Sequence, residues 1–325
     1  MEMHGMRMTR RTLLTGMTGL GLALPASAAG RKAPVVRTAA GRVKGTVADG
    51  ICVFKGIRYG ADTRTRRFMP PLPASPWAGI ADATGYGAAC PQSPAEPAQS
   101  EDCLFLNIWT PGLGTGDRRP VMVYIHGGAY AHGSGSDPLY DGTRLARRGD
   151  VVVVTVNHRL NLFGYLYLAR LAGLEDPLFA DSGNVGQHDL TLALRWIGEN
   201  IARFGGDPGN VMLFGQSGGG AKIATLMAMP AARGLFHKVA TMSGQQVTAG
   251  GPGNATARAA AFLKALGLTA DRTGALAARD LPVATLLTGL KATDPVAGKG
   301  SVYLGPVVDG RALPRHPFFL SLIHI

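Results

Sequence analysis

Cysteine is scarce in this chain, with three in 325 residues. No pair of them, and no group of the eight histidines, recurs at metal-ligand spacing. That excludes a structural zinc site of the usual kind, and the expected metal and cofactor requirement is none. Aromatic residues are few as well (7%), and none interleave with the basic ones, so the net charge of +12 does not describe a nucleic-acid groove. Apart from Arg64-Thr65-Arg66-Arg67 and Arg147-Arg148, the positive charges are scattered, as on a solvated surface. There is no internal repeat and no long low-complexity linker.

Long apolar runs are missing too. Leu13 to Leu24 is interrupted by glycine and threonine and is too short to cross a bilayer. It follows Thr9-Arg10-Arg11-Thr12 and precedes Ala26-Ser27-Ala28, the order of a twin-arginine export signal with a small-residue cleavage site. The expectation is a signal over residues 1–28, cleavage near Ala28 and no stable membrane insertion afterwards. Residues 29–325 then form part of one domain in the periplasm or outside the cell.

Against this background one short segment carries chemistry. Gly215-Gln216-Ser217-Gly218-Gly219 follows the apolar run Val211-Met212-Leu213-Phe214 and precedes Ala221 to Met229, which reads as a helix closed by Pro230. Strand, Gly-x-Ser-x-Gly turn and helix, in that order, make a nucleophile elbow, so Ser217 is the candidate nucleophile. A second segment, His126-Gly127-Gly128-Ala129, follows the short buried strand Val121 to Ile125. Small residues there let backbone N–H groups face a reacting carbonyl oxygen. Gly128, Ala129 and Gly218 are therefore the candidate oxyanion donors, each worth roughly 3 kcal/mol in the transition state.

The rest of the chain reads as one α/β sheet with its covering helices. Strands are expected over Gly41–Gly45, Cys52–Phe54, Leu104–Trp109, Val121–Ile125, Val151–Val156, Val211–Phe214 and Val239–Met242. The stretch Val151 to Val156 is apolar apart from Thr155, as suits a strand buried on both faces. Leu190, Leu194, Ile197, Ile201 and Phe204 recur at helical spacing, with Arg195, Glu199 and Arg203 on other faces. Further helices are expected over Thr256–Leu266 and Asp280–Leu290.

Several motifs together resemble the type-B carboxylesterase family, which includes cholinesterases and para-nitrobenzyl esterases. Glu101-Asp102-Cys103-Leu104-Phe105-Leu106-Asn107-Ile108-Trp109-Thr110-Pro111 is similar to that family's second signature. Phe54-Lys55-Gly56-Ile57-Arg58-Tyr59-Gly60, Asn184-Val185-Gly186-Gln187-His188-Asp189, Phe204 to Val211 and Gly305-Pro306-Val307-Val308-Asp309-Gly310 follow in family order. The resemblance spans about residues 35 to 318. It implies an α/β-hydrolase fold with a central, mostly parallel sheet flanked by helices, and hydrolysis of a small-molecule carboxylic ester through an acyl-enzyme. It also implies Ser217 as nucleophile, the same three oxyanion donors, and a disulfide between Cys90 and Cys103. Cys52 is left over as a small buried hydrophobe.

The chain departs from the family in having Ala129 where many relatives have glycine, and Gly218 where many have alanine; neither change removes an N–H. The larger departure lies downstream. A serine needs a histidine base and a carboxylate that orients it, in the order Ser, acid, His. Past Ser217 the acids are only Asp271, Asp280, Asp294 and Asp309 and the histidines only His237, His316 and His324, and none of these histidines sits in a segment resembling the family's base. The expectation is a C-terminally truncated sequence whose acid and histidine lie beyond Ile325, with final residues foreign to the family. A non-catalytic cholinesterase-like binding protein and an inactive fragment are the alternatives. Acyl and alcohol specificity and oligomeric state are not fixed by sequence.

Overall fold

The computed structural model describes residues 33–318 apart from positions 95 and 115, so the twin-arginine segment and His324 lie outside the described residues. In chain order the strands are β1 (Val35–Arg37), β2 (Arg42–Lys44), β3 (Thr46–Ala48), β4 (Ile51–Arg58), β5 (Ile80–Asp82), β6 (Phe105–Thr110), β7 (Arg119–Ile125), β8 (Val152–Val156), β9 (Gly206–Gln216) and β10 (Lys238–Met242). Helices follow as α1 (Thr143–Gly149), α2 (Asn161–Tyr165), α3 (Ala169–Ala172), α4 (Val185–Asn200), α5 (Gly218–Ala228), α6 (Pro252–Ala265), α7 (Arg272–Asp280) and α8 (Val283–Gly289).

Seven strands form the main sheet in the order β10-β9-β7-β8-β6-β4-β3. The four at one side, β10, β9, β7 and β8, are parallel; β6, β4 and β3 continue the sheet antiparallel. The sheet is thus an α/β one with a parallel half and an antiparallel half. Parallel strands need crossovers, and α4 supplies the one between β8 and β9. Its Leu190, Leu194 and Ile197 stripe, continued by Ile201 just past the helix end, is fully buried, while Arg195 and Glu199 face solvent. All five residues of β8 are buried, as its nearly unbroken apolar sequence requires.

Two parts of the fold differ from the sequence reading. A separate three-stranded sheet, β1-β2-β5, packs beside the main one, because Arg42–Lys44 pairs in parallel with Ile80–Asp82 far along the chain. Helix α7 occupies Arg272–Asp280, where Asp271 caps it by accepting from Gly274 N at 3.0 Å, and Pro282 separates it from α8. The expected helix over Asp280–Leu290 is therefore the later of two.

The family-like motifs hold the fold together through buried ion pairs. Asp189 accepts from Arg159 Nη2 at 2.7 Å, from Nε at 2.9 Å and from the Arg159 backbone N at 2.9 Å, with both side chains buried. Glu101 accepts from Nε and Nη2 of Arg67, each at 2.6 Å, and the partly exposed Asp102 accepts from Arg58 Nη2 at 2.7 Å. In the two buried pairs, Arg159–Asp189 and Arg67–Glu101, removing one partner strands a charge, which costs about 3–5 kcal/mol.

Candidate active site

The parallel strands all end on one edge of the sheet, and the register brings those ends level: Ile125 faces Gly215, and Gln216 faces Met242. Open α/β sheets bind ligands at this carboxyl edge. Ser217 lies there, between β9 and α5, with φ +54° and ψ −123°. A non-glycine residue held in that region costs of order 1–3 kcal/mol and persists only where its surroundings enforce it. They do so here. Its N–H donates to Met242 O at 2.8 Å and its carbonyl accepts from Ala221 N at 3.1 Å. A Cβ on Gly215 would stand 2.6 Å from Ile125 O, and one on Gly244 would overlap the Ser217 carbonyl.

The His126-Gly127-Gly128-Ala129 segment leaves β7 beside this turn. A Cβ at Gly127 would lie 3.7 Å from Ser217 Cβ, and one at Gly218 would lie 2.5 Å from Ala129 N and Cα. The segment turns through left-handed backbone at Gly128 (φ +82°) and Ala129 (φ +50°). Gly128 O accepts from Ala131 and His132 at 3.1 Å, which closes the turn. Among the described residues, no backbone hydrogen bond uses the Gly128 or Ala129 N–H. The first-turn N–H groups of α5 have no carbonyl four residues back within the helix. Ser217 is half-buried and Ala129 exposed, so the junction is open to an incoming molecule. Next to it, Ala129, Tyr130, Asn161 and Leu304 line a mainly apolar cavity of about 300 Å³.

Beneath the loop the surroundings are dry and basic. His126 and His158, at the ends of β7 and β8, stack with ring centroids 4.9 Å apart. Burial pushes both imidazoles well below their ordinary pKa, and Lys222 adds to the effect on each. Lys222, on α5, is fully buried. Sequence reading took it only as a helix residue; its place in a Gly-rich, small-residue first turn was the one available signal.

The downstream acids and histidines are engaged elsewhere. His237 Nδ1 accepts from Val211 N at 3.1 Å, between β9 and β10, and His316 Nδ1 accepts from Ala249 N at 3.1 Å. Asp309 accepts from Asn184 Nδ2 at 2.8 Å and from Leu313 N at 3.0 Å. Burial opposes ionisation of Asp294, yet the N–H groups of Tyr303, Ala297 and Val296 and the Arg258 guanidinium bring it down to about 2. Asp271 serves as a helix cap, and Asp280 ends α7. Among the described residues, none of the hydrogen bonds places an imidazole on the Ser217 hydroxyl.

Cys90 and Cys103 are both buried and hydrogen-bonded to each other, which, with burial, raises the Cys103 thiol well above its ordinary pKa. Both stand as free thiols. Cys52 packs against the core from β4, as a small hydrophobe would.

Comparison with known proteins matches this architecture. The Carboxylesterase family model matches residues 32–323. The chain is 42% identical over 301 residues to the para-nitrobenzyl esterase of Bacillus subtilis, covering 87% of this chain and 58% of that protein. It is 38% identical over 303 residues to the phenmedipham hydrolase of Pseudarthrobacter oxydans, with the same coverage. The crystal structure of the Geobacillus stearothermophilus carboxylesterase superposes with a TM-score of 0.77 at 43% identity, covering 87% of this chain and 57% of that one. The chain thus spans somewhat over half the length of the relatives it matches. A strained serine between strand and helix, faced by a Gly-Gly-Ala loop on the same edge of the sheet, occurs in a chain that belongs to the carboxylesterase family.

Proposed function

We propose that this chain carries the nucleophile and oxyanion site of a serine hydrolase acting on small-molecule carboxylic esters. Ser217 Oγ adds to the ester carbonyl, the alcohol leaves, and water then hydrolyses the acyl-enzyme. The N–H groups of Gly128, Ala129 and Gly218 receive the charge on the tetrahedral oxygen. The observation that carries this reading is the positive φ of Ser217, held where Gly218 touches the Ala129 backbone. The adjoining cavity suits a small apolar group of the ester. The names of the relatives agree with ester chemistry.

The base and its carboxylate, in this reading, come from chain following Ile325. His237 and His316, the described histidines that follow Ser217, are committed to backbone groups, and the relatives are longer. The same chain would continue the sheet along the free edge of β10, where Val239 is 37% and Met242 44% exposed. Residues 1–28 direct export, and in that oxidising compartment Cys90 and Cys103 close a disulfide.

Fluorophosphonate labelling of the full-length gene product tests the nucleophile. The parent labels and Ser217→Ala does not; equal labelling of both would overturn the assignment. Export is tested separately by fractionation, and the disulfide by thiol alkylation of the exported protein. A cytoplasmic protein with both thiols reactive would count against that part alone.

A further inference from the structure

Lys222 is a buried amine that the proposed chemistry does not use. It lies five residues after Ser217 on α5, has no exposed surface, and donates from Nζ to His126 O at 3.0 Å. The titratable groups facing it are His126 from the end of β7, His158 from the end of β8, and Tyr130, whose ring centre is 6.0 Å away. Burial alone pushes its pKa down, to about 7, and no carboxylate contributes. Placing an amine in such a position without a counter-ion costs stability, and a methionine or leucine would fill the same space without that cost. Costs of this kind are retained at functional sites.

The single hydrogen bond shows what the amine does. His126 is the residue that opens the His126-Gly127-Gly128-Ala129 loop, and its carbonyl is held from two sides of the same helix. Lys222 donates to it, and Gly219 lies so close that a Cβ there would stand 3.1 Å from that oxygen. Two of the three proposed oxyanion donors sit on the loop, and the third, Gly218, sits on the helix. Their spacing depends on how loop and helix are fastened.

We propose that Lys222 is a positioning residue of the oxyanion site, whose amine ties the His126 carbonyl to the helix carrying Ser217 and Gly218 and so fixes the separation of the two walls of the hole. The proposal rests on the reading of Ser217 as nucleophile. Because the loop acts on the tetrahedral oxygen and hardly on the ground-state ester, loosening it lowers kcat and leaves KM nearly alone.

The test compares Lys222→Met, which keeps length but has no donor, with Lys222→Gln, which keeps a donor but does not titrate, in the full-length gene product. Ser217→Ala is assayed in parallel. For Lys222→Met, kcat falls about 10–100-fold, with KM within about threefold and melting no earlier than in the parent. Affinity for a trifluoromethyl ketone, which forms a tetrahedral adduct on the serine, falls in step with kcat. Lys222→Gln stays within about fivefold of the parent in kcat. Unchanged kcat in Lys222→Met, equal impairment of both variants, or loss confined to KM overturns the proposal. If Lys222→Met does not fold, Lys222→Gln still decides, since a kcat below about a tenth of the parent's overturns it. Should Ser217→Ala remain active, the nucleophile assignment falls and this proposal with it. An inactive Ser217→Ala beside an unimpaired Lys222→Met removes Lys222 alone.

Discussion

Strands β8 and β10 belong to the same parallel sheet and have similar β-forming sequences, Val-Val-Val-Thr-Val and Lys-Val-Ala-Thr-Met. The first is buried at every residue, whereas the second pairs, among the described residues, only with β9 and has no fully buried residue. Yet Met242, at the open end of β10, accepts the N–H of Ser217. The Ser217 backbone is thus fixed from the less covered side of the sheet. Its partner loop is fixed from the covered side, through β7 and the buried Lys222. The proposed oxyanion site can therefore be assembled on one side while the side proposed to receive the base is still, among the described residues, an open edge.

That comparison can be broken in several places. The largest expected effect is at the nucleophile. Ser217→Ala in the full-length gene product lowers kcat by about 10⁴-fold or more, read by ester hydrolysis. The 325-residue chain alone should turn over substrate as poorly as that variant, because none of its described histidines serves Ser217. Turnover at the full-length rate would show that the open edge needs nothing added.

On the covered side, Asp189→Ala strands the Arg159 guanidinium and costs about 3–5 kcal/mol in chemical denaturation. Lys222 adds a pH dependence on the same side. Its amine is held near 7 in the folded protein and stays near 10.5 when unfolded, so between those values the unfolded chain binds the extra proton. Stability contributed at this position therefore rises with pH across that window, by up to about 1.4 kcal/mol per unit, and is flat below it. Lys222→Met should remove that slope; an unchanged slope would mean that another group sets it.

At the junction of the two sides, Gly218→Val, bulkier than the alanine that many relatives carry there, pushes a branched side chain against the Ala129 backbone and should lower kcat about 10–100-fold. The smallest effects contrast the two strands themselves. Val154→Thr, which buries a hydroxyl in β8, costs about 1–3 kcal/mol. Val239→Thr, on the open strand of the 325-residue chain, changes stability by no more than about 0.5 kcal/mol. In the longer product the Val239→Thr cost should approach the Val154→Thr value. If it stays small there, following chain does not cover β10.

Local rules made part of the site readable. The apolar run before Gly215, the glycines around Ser217 and the Pro230 stop each constrain the backbone within a few residues, and the strand, the turn and helix α5 follow them. The stripe of α4 was equally plain, since its period reports one buried face. The β1-β2-β5 sheet was not readable, because Arg42–Lys44 and Ile80–Asp82 meet only through distant pairing. Nor were the roles of Asp189, which partners Arg159, and of Asp309, which partners Asn184. A charged residue in a sequence carries no sign of whether its counter-ion will be water or a buried guanidinium.

The sequence by itself determined the order of elements and the sharp turn at Ser217, because backbone sterics act between neighbours. Tertiary structure alone decided that Gly218 would press on Ala129, that Lys222 would lose all contact with water beside His126 and His158, and that β10 would, among the described residues, stand at an edge of the sheet. Those outcomes depend on which distant segments exclude solvent from a given atom, and exclusion of solvent is a property of the packed whole.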